Sequence, residues 1–171
     1  MPLPGVLIRQ ATVDDLHELF RVHEASVHGL CGVAYSAQHI ELWFEDRTPE
    51  IYRPLLTHGQ ILVAELEGRI VGFVGAEPGE VVSLFVIPEL VGQGLGRALF
   101  ELGLSFARDS FDGPITVLAT KNAVAFYRRF GFEPIEEGAF VRGQIGLEYP
   151  VVKMVLNSDN IGLHADPTRN A

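Results

Sequence analysis

The amino-acid sequence predicts an α/β fold built around one strand–loop–helix unit. An apolar, β-branched run at 81–87 predicts a buried strand, which Pro88 ends. A short glycine-rich loop follows, and apolar residues then recur at helical spacing over 95–106. Two further apolar runs separated by a tight turn predict a β-hairpin at 61–76, and another run at 115–119 predicts a second buried strand.

The first elements of the chain are a predicted strand and a predicted helix. Residues 6–9 are typical of a short strand, and Thr12 followed by two acidic residues is typical of a helix start. Apolar residues form one stripe along this helix, and His23 lies on that stripe. We therefore expect His23 to be a hydrogen-bonded histidine of the core or of a cleft edge.

The segment at 26–58 combines short helices with a cluster of rings and one thiol. Ser36 is placed to cap one helix, and Thr48-Pro49 predicts the start of another. Because of Pro54, the sequence does not define where this second helix ends. The cluster comprises His28, Cys31, Tyr35, His39 and Trp43. Its spacing matches no zinc pattern, so packing explains it better than a metal site does.

The second half of the chain predicts specific helix-packing and capping residues. Gly103 lies inside the central helix, where it allows close packing on the sheet at a cost of about 1 kcal/mol relative to Ala. Asn122 is expected to cap the next short helix. Gly131 stands where a left-handed C-cap belongs, and Phe132 is expected to make the accompanying apolar contact.

The last strands and the C-terminus complete the predicted organisation. Strands are expected near 133–137 and at 148–156, paired antiparallel. From residue 157 onward the composition is polar and lacks an apolar period. We therefore expect one domain at 1–156 and a mobile tail at 157–171.

Charge and cysteine content exclude several classes of protein. The 171 residues include 22 acidic and 13 basic side chains, for a net charge of −9. Nucleic acids and anionic membranes require a basic face, so neither is expected as a main partner. The single cysteine excludes an internal disulfide and fits a reducing compartment. No leader and no apolar run of membrane-spanning length is recognisable, so we expect a cytoplasmic protein.

The glycine loop has the features of a phosphate site. The first N–H groups of a helix lack intrahelical partners, and the helix dipole adds partial positive charge there. Gly92, Gly94 and Gly96 allow positive φ and leave no Cβ between the backbone and an anion. Arg97 adds a formal charge in the first helical turn. The loop therefore predicts a site for a phosphate or pyrophosphate group.

Two other nucleotide motifs fit this loop poorly. A P-loop has Lys-Ser/Thr after its last glycine, whereas Arg97-Ala98 stand here. The dinucleotide fingerprint Gly-x-Gly-x-x-Gly is one residue longer than the motif of this chain. A dinucleotide-binding oxidoreductase would also place its glycine turn after its first strand, near the N-terminus. Several predicted elements precede the turn here, so this alternative is disfavoured.

Two motifs together resemble the GCN5-related N-acetyltransferases, the GNAT superfamily. The first is Pro88 with the glycine triplet and its helix, and the second is the later segment at 122–132, Asn-Ala-Val-Ala-Phe-Tyr-Arg-Arg-Phe-Gly-Phe. The resemblance extends from about Val6 to Leu156. It implies an α/β fold with a mixed, twisted sheet, helices on both faces, and central strands splayed to admit coenzyme A.

The resemblance implies that acetyl-CoA is the cofactor and that the glycine turn binds its pyrophosphate. The residues of this turn are Gly92, Gln93, Gly94, Leu95, Gly96 and Arg97. In similar proteins the pantetheine arm pairs with the end of the central strand, which here is the backbone of Phe85 and Val86. Asn122 is a further candidate for a hydrogen bond to the cofactor. Family members have Gln or Arg before the first glycine, whereas this chain has Val91, which implies weaker binding at most.

Tyr127 is the candidate general acid. Similar enzymes have a tyrosine at this place in the short helix after the fifth strand, and it protonates the departing thiolate. A phenol with a pKa of about 10 is protonated at neutral pH and can donate. Packing between Phe126 and Phe130 would also account for the residue.

The general base is left open by the sequence. Many family members have a Glu in the central strand at the position of Val82. Glu80 precedes it by two residues with the same parity, so its carboxylate could reach the cleft directly or through water, although it could equally be a turn residue. His23 and His28 are the other candidates, since imidazole titrates near neutrality. An amine of modest pKa needs no dedicated base.

The resemblance implies transfer of an acetyl group to the primary amine of a small molecule or peptide. The segment at 26–58 would form one wall of the acceptor pocket, with His28, Tyr35 and Trp43 as candidate pocket residues. A non-catalytic acyl-CoA sensor of the same fold is the alternative, favoured by the residues at positions 82 and 91. A homodimer is a further expectation, because the final strands of similar proteins often pair across subunits.

Overall fold

A computed structural model describes residues 3–157 of the chain. The helices and strands in this range are β1 (Val6–Gln10), α1 (Leu16–Leu30), α2 (Ala37–Leu42), α3 (Arg53–His58), β2 (Gln60–Leu66), β3 (Arg69–Glu77), β4 (Glu80–Val86), α4 (Leu95–Arg108), β5 (Ile115–Thr120), α5 (Val124–Arg128), β6 (Glu133–Arg142) and β7 (Leu147–Leu156). Short 3₁₀ turns join several of them, at Val13–Asp15, Cys31–Val33, Pro49–Tyr52, Pro88–Leu90 and Lys121–Ala123. The predicted tail lies, apart from Asn157, outside the described residues.

The seven strands form one sheet in the order β1-β2-β3-β4-β5-β7-β6. Neighbouring strands are antiparallel except β4 and β5, which are parallel. The mixed sheet confirms the predicted fold class, the hairpin at 61–76 and the antiparallel final pair, although β6 continues well past the predicted end to Arg142. A dinucleotide-binding domain has an open, mostly parallel sheet, so the topology contradicts the oxidoreductase alternative.

Strands β4 and β5 pair only at their beginnings. Glu80 pairs with Thr116 and Val81 pairs with Val117, and no pairing follows. The splay predicted for the central strands is therefore present. From residue 82 to residue 86, the backbone edge of β4 that faces β5 has no strand partner.

A bulge interrupts β4 just where the splay begins. Gly75 of β3 pairs with Ser83, but the next residue, Ala76, pairs with Val81, so Val82 is an extra residue without a partner. The Val82 side chain is 43% exposed, whereas Val81 is buried. A bulge redirects side chains, and here it brings both Val82 and Ser83 to the same cavity.

Helices cover both faces of the sheet, as predicted. Helix α4 packs on one face against a core that includes Val74, and α1 packs on the other face against a core that includes Phe73. Successive strand residues point to opposite faces, so these neighbours in β3 separate the two cores. The buried apolar residues of α4 are Leu95, Leu99, Phe100, Leu104 and Ala107.

Three predicted local features can be compared with the structure. A Cβ added at Gly103 would lie 2.5 Å from Cγ2 of Val74, which confirms close packing of α4 on the sheet. Gly131 has φ +86° after α5 and Phe132 is buried, as expected for a left-handed helix end. Asn122 was expected to cap α5, and this was wrong, because it lies inside a 3₁₀ turn and Ala123 precedes the helix.

Candidate active site

The glycine turn lines a cavity of about 480 Å³, which we call the glycine cavity. Its walls come from the end of β4, the turn itself, the first turn of α4, and α5. Most of the predicted cofactor residues line it, namely Phe85, Val86, Gly92, Gly94, Gly96, Arg97 and Asn122, and so does the predicted general acid Tyr127. Val91, which replaces the family's Gln or Arg, lines it as well and is 52% exposed.

Two predicted cofactor residues do not line the glycine cavity. Leu95 is fully buried in the core beneath α4, so only its backbone N–H faces the helix N-terminus. The Gln93 side chain donates a hydrogen bond to the carbonyl oxygen of Glu89 at 3.0 Å, which closes the preceding turn. The predicted backbone cradle does not depend on either side chain.

The turn has the backbone geometry that an anion site at a helix N-terminus requires. Gly92 has φ +82° and Gly94, which precedes α4, has φ +87°. The first intrahelical bond runs from the N–H of Ala98 to the Gly94 carbonyl at 3.0 Å, so the N–H groups of 95–97 have no helical partner. Gly96 lies inside α4 and has no positive φ, so of the two advantages expected of the loop glycines only the missing Cβ applies there.

Arg97 lies at the mouth of the turn but is not free of partners. Its Nε donates to the Glu101 carboxylate at 2.9 Å, and its guanidinium lies 6.0 Å from the Phe130 ring centroid. Both members of this ion pair are well exposed, so the pair contributes little to stability. The guanidinium can therefore move toward an anion at low cost.

Tyr127 belongs to the core and to the cavity at once. Its ring is 8% exposed and packs edge-on against Phe100 and Phe126, while part of the residue lines the glycine cavity. Burial raises the pKa of the phenol above its ordinary value, and no hydrogen bond or charge within the described residues offsets this. The hydroxyl therefore keeps its proton at neutral pH and can donate it.

A second cavity of about 490 Å³, which we call the arginine cavity, shares Phe85 and Thr120 with the glycine cavity. It is lined mainly by residues of β4, β5 and β6 and by the segment at 43–58. Its charged side chains and imidazoles are His23, Arg47, His58, Glu77, Glu80 and Arg142. The two cavities thus lie side by side at the splay between β4 and β5.

His23 occupies the buried edge of the arginine cavity, as the apolar stripe predicted. It is 4% exposed, and its Nδ1 lies 2.6 Å from the Tyr52 hydroxyl oxygen. Burial, together with the charges of Arg47 and Arg142, lowers the pKa of His23 to about 3. Its imidazole is therefore neutral and a weak base at neutral pH.

The surroundings of Glu80 strengthen its carboxylate as a base. Burial raises the pKa of its carboxyl, the charge of Glu77 raises it further, and Lys153 opposes both effects. A carboxylate with a raised pKa accepts a proton more readily than an exposed one does. Glu80 lines the arginine cavity two residues before the bulged Val82.

The structure separates the three residues that were predicted for the acceptor pocket. Trp43 lines the arginine cavity, whereas Tyr35 and His28 line neither cavity. The Tyr35 hydroxyl donates to the Pro150 carbonyl oxygen at 2.6 Å and accepts from the backbone N–H of Lys121 at 3.1 Å. These bonds to distant backbone give Tyr35 a structural position, while His28 lies exposed on α1.

Several cavity residues had no signal in the sequence. Arg47 lies in a turn after α2, Arg142 ends β6, and Ser83 follows the bulge. None belongs to a motif, and the three come together only through the tertiary fold. The nearest signal was Gly75, because a glycine inside a strand pattern suggests a bulge.

Cys31 and its ring-bearing neighbours do not form a metal site. Cys31 is buried against the glycine cavity beside Asn122, and burial raises the pKa of its thiol to about 11. Within residues 3–157 there is no group of three or more His, Cys, Asp or Glu side chains that could hold a metal ion. In the same range, no helix has the length and apolar character needed to cross a bilayer.

Known proteins with similar sequences or folds fit this arrangement. A family model described as "Acetyltransferase (GNAT) domain" matches residues 31–152, well over half of the chain. An uncharacterized N-acetyltransferase from Archaeoglobus fulgidus is 33% identical over 113 residues, which cover 58% of this chain and 72% of that protein.

Solved structures show the same fold. A GCN5-related N-acetyltransferase from Rhodopseudomonas palustris has a TM-score of 0.80 at 24% identity, covering 92% of this chain and 98% of that one. The PaiA N-acetyltransferase from Thermoplasma acidophilum, solved in complex with coenzyme A, has a TM-score of 0.70 at 19% identity, covering 89% and 98%. With the family match over residues 31–152, these likenesses show that the chain belongs to the GNAT family of acetyltransferases.

Proposed function

We propose that the protein is an acetyl-CoA-dependent N-acetyltransferase that acts on the primary amine of a small molecule or peptide by direct attack in a ternary complex. The observation that carries this proposal is the pair of adjacent cavities, which share Phe85 and Thr120 at the splay. An amine in the arginine cavity would lie next to a thioester in the glycine cavity. Holding two reactants in contact supplies much of the rate enhancement of such a transfer.

Two features of the glycine cavity fit coenzyme A. The unpaired N–H groups at the start of α4, next to glycines at positive φ, suit the pyrophosphate. The open edge of β4 over 82–86 offers backbone groups to the amide-containing pantetheine arm. Acetyl-CoA would supply the acetyl group already activated as a thioester. Coenzyme A in the structure of the Thermoplasma protein supports the same assignment.

Four residues have assigned roles in this proposal. Tyr127 donates the proton of its hydroxyl to the sulfur of the leaving group, and its raised pKa keeps that proton in place beforehand. Glu80 accepts a proton from the amine through water. Phe85 and Val86 bind the cofactor through their backbone, so their side chains remain free to pack.

The arginine cavity favours an enzyme over an acyl-CoA sensor. A sensor needs the glycine cavity alone, whereas a transferase also needs room for an acceptor beside the thioester. The second cavity has about the same volume as the first and contains titratable side chains. Nothing in the geometry requires a cavity of that kind for cofactor binding.

The decisive experiment has two stages. In calorimetric titrations with acetyl-CoA and, as a parallel control, with NADH, we expect acetyl-CoA to bind and NADH not to bind. Initial rates over a panel of amines, varied together with acetyl-CoA, are then expected to give intersecting double-reciprocal lines. Parallel lines would indicate a covalent acetyl-enzyme and contradict direct attack. Absence of acetyl-CoA binding would contradict the function, and binding without transfer to any amine would favour the sensor.

A further inference from the structure

The arginine cavity contains two guanidinium groups that have no acidic partner. Arg47 follows α2 and Arg142 ends β6, and neither takes part in a salt bridge within residues 3–157. The Arg142 guanidinium lies 4.5 Å from the ring centroid of Phe140, which stacks in turn on Tyr149. The aromatic pair thus holds Arg142 at the cavity wall.

Both guanidinium groups are partly buried, and the cavity contains polar atoms without partners. Burial lowers the pKa of Arg47, and the like charge of Arg142 lowers it further. The Nε of Arg142 is buried without a hydrogen-bond partner in the described part of the chain, and so is the Ser83 hydroxyl in the same cavity. Buried polar groups in folded proteins are nearly always paired, so these two atoms lack the partner that such groups normally have.

The acidic side chains of the cavity lie away from the guanidinium groups. The charges of both arginines act on His23, which stacks on Phe85, whereas Glu80 is influenced by Glu77 and Lys153 instead. Glu80 begins β4, whereas Phe85 lies near its end. The cavity therefore has a cationic region and an anionic region that do not neutralise each other.

We propose that the acceptor amine also carries an oxoanion, a carboxylate or a phosphate, and that Arg47 and Arg142 bind it. This inference rests on the proposed function and specifies its substrate class. The planar guanidinium donates paired hydrogen bonds to carboxylate and phosphate oxygens, and an anion there would supply the missing partners. The amine end of the same molecule would lie toward Phe85 and Thr120, which the arginine cavity shares with the glycine cavity.

Binding of small matched probes tests this substrate class without relying on turnover. The probes are 5-aminopentanoate against 5-aminopentanamide, and O-phosphoethanolamine against ethanolamine, titrated by ligand-observed NMR at low, fixed ionic strength. We expect at least one probe that carries an oxoanion to bind at least tenfold more tightly than its partner without one. Arg47→Met and Arg142→Met are each expected to reduce that preference at least fivefold, and Arg142→Lys to restore part of it.

The matched control is Arg69→Met, which removes an exposed guanidinium outside both cavities and is expected to leave the preference unchanged. Thermal unfolding shows whether each variant is folded, and removal of a desolvated charge is not expected to lower the unfolding temperature. Equal affinity for probes with and without the oxoanion overturns the inference, as does a preference that survives both arginine substitutions. The second result would mean that Arg142 serves only to pack on Phe140.

The same samples separate this inference from the proposed function. The protein could bind acetyl-CoA and acetylate amines without an oxoanion, yet show no preference for the probes that carry one. That result would leave the proposed function in place and overturn the substrate class. A preference that depends on both arginines in a protein that binds no acetyl-CoA would support the anion site and contradict the transferase.

Discussion

The imidazole of His23 stacks on the ring of Phe85, with 3.8 Å between the ring centroids, while its Nδ1 lies 2.6 Å from the Tyr52 hydroxyl oxygen. Phe85 is one of the two residues shared by the glycine and arginine cavities. Helix α1 is thereby connected, through one buried ring, to the part of β4 where the two reactants would meet. The same burial makes His23 a measurable source of pH-dependent stability.

The free energy of unfolding should fall in mild acid because of His23. Burial and two nearby arginine charges lower its pKa to about 3, whereas a histidine in the unfolded chain titrates near 6.5. Between these values the unfolded state binds one proton that the folded state does not. The stabilisation is therefore complete above about pH 6.5 and declines as the pH falls, by up to about 1.4 kcal/mol per pH unit.

Urea unfolding at several values between pH 4.5 and 7.5 measures this decline. His23→Gln is expected to reduce the slope of the unfolding free energy against pH by an amount that corresponds to nearly one proton, whatever the substitution does to absolute stability. His28→Gln is the matched control, because His28 is exposed on the same helix and should leave the slope unchanged. Equal slopes in the wild type and His23→Gln would mean that the buried imidazole does not titrate with unfolding.

The parts of the fold that the sequence predicted are those specified by local pattern. The β4–turn–α4 unit was predicted because an apolar run, a proline and a 3.6-residue period occur within one short stretch. The close approach at Gly103 and the helix end at Gly131 were predicted for the same reason, since each depends on one residue and its immediate neighbours. The placement of His23 followed from the helical period alone.

The parts that escaped prediction depend on contacts between distant residues. The bulge at Val82 results from the register between β3 and β4, which no single segment determines. Tyr35 was expected in the acceptor pocket, but its hydroxyl bonds to backbone 115 and 86 residues away. The pairing of Arg47 with Arg142 in one cavity requires the end of β6 to lie beside the turn after α2, which residue spacing cannot show.

Gly94→Ala should weaken acetyl-CoA binding far more than it weakens the fold. Gly94 has φ +87° immediately before α4, and an alanine there costs roughly 1–2 kcal/mol of backbone strain. Relief of that strain moves the N–H groups of the first helical turn, so we expect acetyl-CoA affinity to fall at least tenfold by calorimetry. The matched control is Gly68→Ala, because Gly68 has φ +77° in open space in the β2–β3 turn.

Comparison of the two glycine variants isolates the role of the turn in binding. Both should lose similar stability in urea, while Gly68→Ala keeps wild-type affinity for acetyl-CoA. If Gly94→Ala also keeps that affinity despite its loss of stability, the turn serves the fold and does not bind the cofactor.

Tyr127→Phe should reduce turnover by about 10²-fold or more, because general acid catalysis typically contributes at least this much. Its ring packing is retained, and its hydroxyl makes no hydrogen bond within the described residues, so acetyl-CoA affinity and the free energy of unfolding should change little. Steady-state kinetics, calorimetry and urea unfolding on one preparation measure the three quantities. Wild-type turnover in this variant, with chemistry shown to be rate-limiting, would remove Tyr127 from the mechanism.

Tyr35→Phe is the control for loss of a phenol hydroxyl, because it is expected to lower stability and to leave turnover nearly unchanged. Its hydroxyl joins the backbone of Pro150 and Lys121, so the substitution should lower the free energy of unfolding by about 1–3 kcal/mol. Tyr35 lines neither cavity, and turnover of the folded protein should change little. The pair of variants thus distinguishes a phenol that acts on the reaction from one that supports the fold.

The acidic limb of the pH profile, the range in which kcat/KM declines as the pH falls, should shift in opposite directions when the two charged neighbours of Glu80 are substituted. Burial and the charge of Glu77 raise the pKa of Glu80, and Lys153 lowers it. A general base must be ionised, so activity declines as the pH falls through that raised pKa. Glu77→Gln removes a like charge and should move the limb to lower pH, whereas Lys153→Met should move it to higher pH.

Glu80→Gln should abolish this limb and lower kcat/KM by about 10²-fold or more, because no carboxylate then accepts the proton of the amine. The titration of the amine itself is common to all variants and cancels in the comparison. A limb that stays in place in both Glu77→Gln and Lys153→Met belongs to another group, and the neutral imidazole of His23 is then the next base to test. Opposite shifts in Glu77→Gln and Lys153→Met would identify Glu80 as the base, because the two charges act on the pKa of its carboxyl in opposite senses.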